Sequence, residues 1–158
     1  TLGVTNASFV AQAVDWIPEL LYDIIRAAYL HRGFSFVRII QRCPEWLPKM
    51  FEPWLHDPGK TLLLTHRNGL SISPELSRTY RNQTEHDPMN LDRAREIASV
   101  TDPIPVGILY HNPSIPCYED IRHAGQMRTA EQIRAGIESE FDKVTVWPQD
   151  DSPSRAVA

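Results

Sequence analysis

Cysteine is scarce in this sequence, with Cys43 and Cys117 far apart and each beside a proline. Two such thiols are not the dense framework of a small secreted domain, and they point to a reducing cytoplasm. No apolar run approaches the roughly 20 residues of a membrane span, so a transmembrane segment is not expected. Charge of either sign is also short: the formal net charge is -4 with a pI near 5.8, which gives no general attraction to nucleic acid or to an anionic membrane. Familiar chemical signatures are missing too. There is no Gly-x-Ser-x-Gly elbow, no Walker loop, no Gly-x-Gly-x-x-Gly, no His-Glu-x-x-His and no Cys-x-x-Cys. The first residue is Thr1 and no targeting segment follows it, so the true beginning is expected to lie upstream. Internal repeats are likewise absent.

What remains is a 158-residue chain of ordinary globular composition, 42% hydrophobic and 23% charged, the size of one domain. Its most telling stretch runs from Gly33 to Pro44. Phe34, Phe36, Val37, Ile39 and Ile40 form a nearly continuous apolar run, which reads as a strand covered on both faces. Gly33 turns the chain into it and Pro44 cannot continue it. Before it, Phe9 to Val14 reads as a short buried strand in a parallel sheet. Asp15 is the expected cap of a helix with Pro18 in its first turn, and Ile17, Leu20, Leu21, Ile24, Ile25 and Ala28 keep helical spacing to His31. Strand, helix and strand make a right-handed βαβ unit.

From Cys43 to Tyr80 five prolines interrupt the periodicity, although Lys60 to Thr65 has the look of a short strand with a turn at His66–Gly69. The scattered Trp46, Met50, Phe51 and Trp54 imply that this excursion packs on the domain or on a neighbouring subunit. Asp87-Pro88 opens a helix to about Val100. Ile104 to Tyr110 is a strand whose Pro105 and Gly107 favour an edge or a close backbone approach. A helical turn over Tyr118–His123 comes next, and Thr129 with Gln132 forms a capping box for a helix through Phe141. Val144 to Trp147 is read as a last strand and the tail from Gln149 as mobile.

Few residues carry chemistry. His31, His56, His66, His86, His111 and His123 are spread without ligand-like spacing and read as solvated or locally bonded side chains. Glu85, Asp87 and Asp92, and the pair Glu119 and Asp120, read as helix-start carboxylates. Cys117 reads as a small buried hydrophobe with no basic residue beside it. Cys43 is the close case: composition favours an inert thiol, but a strand's carboxyl end is where α/β sheets hold ligands.

Several pieces in register resemble one family. They are Asn6-Ala-Ser-Phe-Val-Ala-Gln, Ala27-Ala-Tyr-Leu-His-Arg-Gly-Phe-Ser-Phe-Val, Cys43-Pro44, Glu85-His-Asp-Pro-Met-Asn-Leu-Asp-Arg-Ala-Arg, Ile104-Pro-Val-Gly-Ile-Leu-Tyr and Pro116-Cys-Tyr-Glu. Together they resemble the β subunits, or corresponding C-terminal domains, of thiamine-diphosphate-dependent 2-oxoacid:ferredoxin oxidoreductases. The fold this resemblance implies is α/β: the C-terminal half of a three-layer thiamine-diphosphate-binding domain with a mainly parallel sheet, then an irregular C-terminal extension. Residues 1–43 would be the βαβ part, 44–148 the extension packing on the domain or a partner subunit, and 149–158 a tail.

The resemblance also implies an activity: oxidative decarboxylation of a 2-oxoacid, 2-oxoglutarate or pyruvate with a lean to the former, to an acyl-CoA, with electrons passing through a 4Fe-4S cluster to ferredoxin. Cys43 matches the family's fourth cluster ligand, and Cys117 matches none. Implied cofactors are thiamine diphosphate, magnesium and the cluster; implied partners are an α subunit, ferredoxin, the 2-oxoacid and coenzyme A, with no nucleic acid and no membrane. The family's Gly-Asp-Gly…Asn motif and its other three cysteines are absent from this sequence. This segment alone is therefore expected to hold no catalytic residue and no thiamine diphosphate, as a piece of a longer subunit or as a relic of one. A non-catalytic assembly domain and a flavodoxin-like binding module stand as alternatives, the latter without a phosphate-cradling loop after its first strand.

Overall fold

A computed structural model describes residues 1–3, 6–67, 69–124 and 128–146. It is a three-layer α/β structure. Strands β1 (Phe9–Val14), β2 (Ser35–Ile40), β3 (Thr61–Thr65), β4 (Gln83–Glu85) and β5 (Ile104–His111) form one sheet in the order β2-β1-β5-β3-β4. Pairings β1–β2, β3–β4 and β3–β5 are parallel, and β1–β5 is antiparallel, with a register shift between Val10 and Ala11. The sheet is therefore mainly parallel, as expected, with one reversal at its centre. That reversal decides which strand ends share an edge.

Side-chain alternation along β1 supplies both cores. Phe9, Ala11 and Ala13 join Leu63, Val106 and Ile108 beneath helix α1 (Pro18–Leu30), which contributes Leu20 and Ile24. Leu70, Ile72 and Leu76 extend this layer into α3 (Pro74–Thr79), and Trp54 joins it from α2 (Glu52–His56). Val10 turns to the other face, where Leu64, Leu109 and Tyr110 meet Ala94 and Ile97 of α4 (Leu91–Ala98). A fully buried side chain such as Ile24 contributes roughly 1.5–3 kcal/mol.

Several expectations need correction. The Gly33–Pro44 strand is not covered on both faces: β2 is the sheet's edge, and Phe34, Phe36 and Ile39 are 57%, 39% and 45% exposed. Val37 and Ile40 pack toward α1, whereas the opposite face of β2 lies beyond the reach of α4. Asp15 does not cap α1, whose cap position is Ile17 with no side-chain bond; it accepts instead from the backbone and guanidinium of Arg42 at 3.1 and 3.0 Å. Asn90, not Asp87, caps α4, because Asp87 is spent on the Met89 N–H at 2.9 Å. Pro74, read as an interruption, instead opens α3 behind its cap Ser73. Ile104 to Tyr110 is not at an edge, and Gly107 provides the close approach.

Residues 44–148 supply three of the five strands, and one compact unit runs from Thr1 to Ile121. A second begins at Arg122 and holds α6 (Ala130–Asp142) behind the full Thr129–Gln132 capping box. Helix α5 (Tyr118–Arg122) closes the first unit in sequence, only its last residue falling in the second. Val144–Val146 form no strand, and Trp147 and the tail from Gln149 lie outside the described residues. No helix among the described residues is long and apolar enough to cross a membrane.

Candidate functional site

Because β1 and β5 run in opposite directions, the carboxyl ends of β1 and β2 share one edge of the sheet. The carboxyl ends of β3, β4 and β5 share the other. Each edge gathers its own chemistry.

On the first edge stands Cys43, three residues past the end of β2. Its thiol is free and half-buried, and the Trp46 N–H points at Sγ from 3.4 Å. Leu47 N–H closes the turn onto Cys43 O at 3.0 Å, and Arg42 fastens the turn's start to Asp15 just beyond β1. An N–H aimed at sulfur stabilises a thiolate, so the donor set fits a metal–thiolate bond. A 4Fe-4S cluster needs four thiolates, and Cys43 is a single cysteine on this edge. Among the described residues no group of three or more His, Cys, Asp or Glu is placed to hold a metal ion.

On the second edge, four of the six histidines converge, which their spacing did not disclose. His31 follows α1, His66 follows β3, His86 follows β4 and His111 ends β5. Ser8 Oγ lies 2.7 Å from His31 Nε2, and His31 Nδ1 lies 3.2 Å from His111 Nε2. One proton holds that imidazole pair together. Phe9 packs against both rings, and His66 and His86 stand edge to face with centroids 5.5 Å apart. His86 Nε2–H donates to Leu109 O at 3.2 Å, while the buried Nδ1 atoms of His66 and His86 have no partner. Burial pushes the His31, His66 and His111 imidazoles below their ordinary range; His111 adds to the effect on His31, and His86 and His111 add to that on His66. The residue types gave no warning here. The available signal was position, since each of the four stands at the boundary of an element.

Cys117 also lies on this second edge, in a cleft with Asn6, Ser8 and Phe34, and cannot reach Cys43. Contrary to expectation a basic residue does stand beside it. Arg32 lies beside Cys117 and pairs with Asp120, and Asp120 is held below the usual carboxylate range first by Cys117 and then by Arg32. Glu119 and Asp120 occupy the first turn of α5 and Asp92 that of α4, as read, but Glu85 ends a strand.

With this geometry, the chain compares with known proteins over one continuous segment. Residues 76–125 match the family described as the C-terminal part of the pyruvate ferredoxin oxidoreductase beta subunit. The likeness to the C-terminal portion of such a β subunit, drawn from the residues, is borne out there. The matched segment takes in β4, α4, β5, His86, His111 and Cys117, and leaves Cys43 outside it. A solved structure, the 2-oxoglutarate:ferredoxin oxidoreductase from Magnetococcus marinus with 2-oxoglutarate, coenzyme A and succinyl-CoA bound, is similar at 22% identity and a TM-score of 0.45. The similarity covers 86% of this chain and 36% of that one, so this chain spans about a third of that protein's length. No curated protein matches the chain significantly.

Proposed function

We propose that this chain is part of the β subunit of a 2-oxoacid:ferredoxin oxidoreductase, which oxidatively decarboxylates a 2-oxoacid to an acyl-CoA and passes the electrons to ferredoxin. The observation that carries the reading is the family match over residues 76–125. In this reading residues 1–43 belong to the thiamine-diphosphate-binding domain, and residues 44–148 are the β-subunit extension whose strands complete its sheet. The α subunit and ferredoxin are the partners. 2-Oxoglutarate is the substrate we favour, with pyruvate as the other.

Cys43 is this chain's contribution to the redox centre. Its half-exposed thiolate, steadied by the Trp46 N–H and by the Arg42–Asp15 anchor, would serve as one ligand of a 4Fe-4S cluster whose other ligands come from outside this sequence. Thiamine diphosphate with magnesium supplies the decarboxylating chemistry and the cluster a one-electron path when bound. The test is anaerobic reduction of a viologen dye by the native complex containing this chain, with 2-oxoglutarate or pyruvate and with or without coenzyme A. Reduction that requires both a 2-oxoacid and coenzyme A is expected. No reduction from a complex that retains the chain would overturn the reading in favour of a non-catalytic assembly domain.

A further inference from the structure

The larger opening at the histidine edge, a cavity of about 660 Å³, lies between the carboxyl ends of β3 and β5. From the end of β3 the chain departs outward to α3 and β4. From the end of β5 it departs the other way, where Asn112 N–H bonds Ser8 O beside β1 at 2.8 Å. Outgoing chains that part between neighbouring strands leave the crevice in which open α/β sheets hold ligands, and the volume suits a small molecule.

Arg67, His66, His86, His111, Glu85 and Asp87 contribute the polar part of the lining. Among the described residues the Arg67 guanidinium has neither an ion pair nor a hydrogen bond, so a permanent cation stands free at the opening. His86 is only 8% exposed, and with Nε2–H committed to Leu109 O its Nδ1 has no partner. Pro88 and Met89 complete the wall, next in sequence to Asn90, the cap of α4.

We propose that this crevice is a binding site for a small oxyanion, a carboxylate or phosphate group, gripped by Arg67 together with the imidazoles of His66 and His111, and that binding takes up protons. With the imidazoles neutral, Arg67 faces Glu85 and Asp87, and the lining does not favour an anion. Asp87 accepts from the Met89 N–H, and both it and Glu85 are acidic side chains of the lining that oppose an anion. Protonation of His66 and His111 reverses the balance, with His31, whose Nδ1 lies 3.2 Å from His111 Nε2, as the titratable neighbour on the far side of His111, and an oxyanion in the crevice supplies the acceptor that makes this favourable. The site is at the edge opposite Cys43 and does not rest on the oxidoreductase reading.

The test is a titration of the full chain followed through the histidine ring resonances by NMR. The probes are sulfate, a tetrahedral oxyanion of constant charge, and acetate, a planar carboxylate, each at about pH 6 and about pH 8. Expected is saturable movement of the His66 and His111 signals toward their imidazolium positions, with affinity at least about tenfold weaker at the higher pH. Tighter sulfate binding assigns the site to phosphate groups and tighter acetate binding to carboxylates. Arg67→Ala should lose the response and Arg67→Lys keep part of it, while Arg128→Ala binds as the parent does. The proposal is overturned if neither anion moves both rings, if affinity is the same at both pH values, or if Arg67→Ala binds undiminished. It is also overturned if Zn²⁺ alone perturbs the same rings and the anions do not.

Discussion

Gly107 leaves no room for a methyl group. It holds φ at +138°, and a Cβ built there would lie 2.8 Å from Leu64 Cβ and 3.0 Å from Leu64 O on the neighbouring central strand. Both the backbone conformation and the contact oppose any side chain, so Gly107→Ala should cost about 2–4 kcal/mol. A urea denaturation midpoint within error of the parent's would contradict this. On the ligand role proposed for Cys43, Cys43→Ser exchanges a sulfur ligand for a hydroxyl that binds iron poorly. In the intact complex we expect it to abolish 2-oxoacid-dependent dye reduction and to lower iron content; unchanged iron and activity would remove Cys43 from the redox centre. Cys117→Ser should leave both readouts near the parent's.

Local signals wrote some elements plainly and could not write others. The Thr129–Gln132 box is complete in four residues of sequence, and both of its bonds form, at 3.2 and 2.9 Å. Thr129→Ala should accordingly cost α6 about 1 kcal/mol, seen as a loss of helical circular dichroism on mild heating; no change would show that the cap is redundant. The spacing of Leu20 and Ile24 likewise placed α1. By contrast, Asp15, Asp87 and Asn90 are all good capping residues, and only the bonds made elsewhere by Asp15 and Asp87 leave Asn90 as a cap. The apolar run of β2 is legible as a strand, but its coverage is not, because coverage depends on where α4 lands. The histidines show the same limit more sharply. His31 and His111 are 80 positions apart, and only the antiparallel β1–β5 pairing brings their nitrogens to 3.2 Å.

Across the whole molecule, the half-buried imidazoles give folding a direction in pH. His31, His66 and His111 are held below the ordinary value of 6.5, so the unfolded chain takes up protons at a higher pH than the folded one. Their contribution to stability is full above about pH 6.5 and drains away as pH falls through that value toward the lowered folded-state values. Thermal midpoints at constant ionic strength should thus decline from about pH 7 to about pH 5, and His111→Gln should flatten the decline by removing one of the titrating rings. Equal slopes in parent and variant would show that carboxylates, not these imidazoles, dominate. The strand order has a separate consequence. β5, the last of these five strands in chain order, lies in the middle of the sheet between the two earlier pairs, β1–β2 and β3–β4. A nascent chain therefore carries two unjoined half-sheets, each with an unpaired inner edge, until residue 111 has left the ribosome. Until β5 enters between them, each inner edge is open to pairing with a wrong strand or another chain.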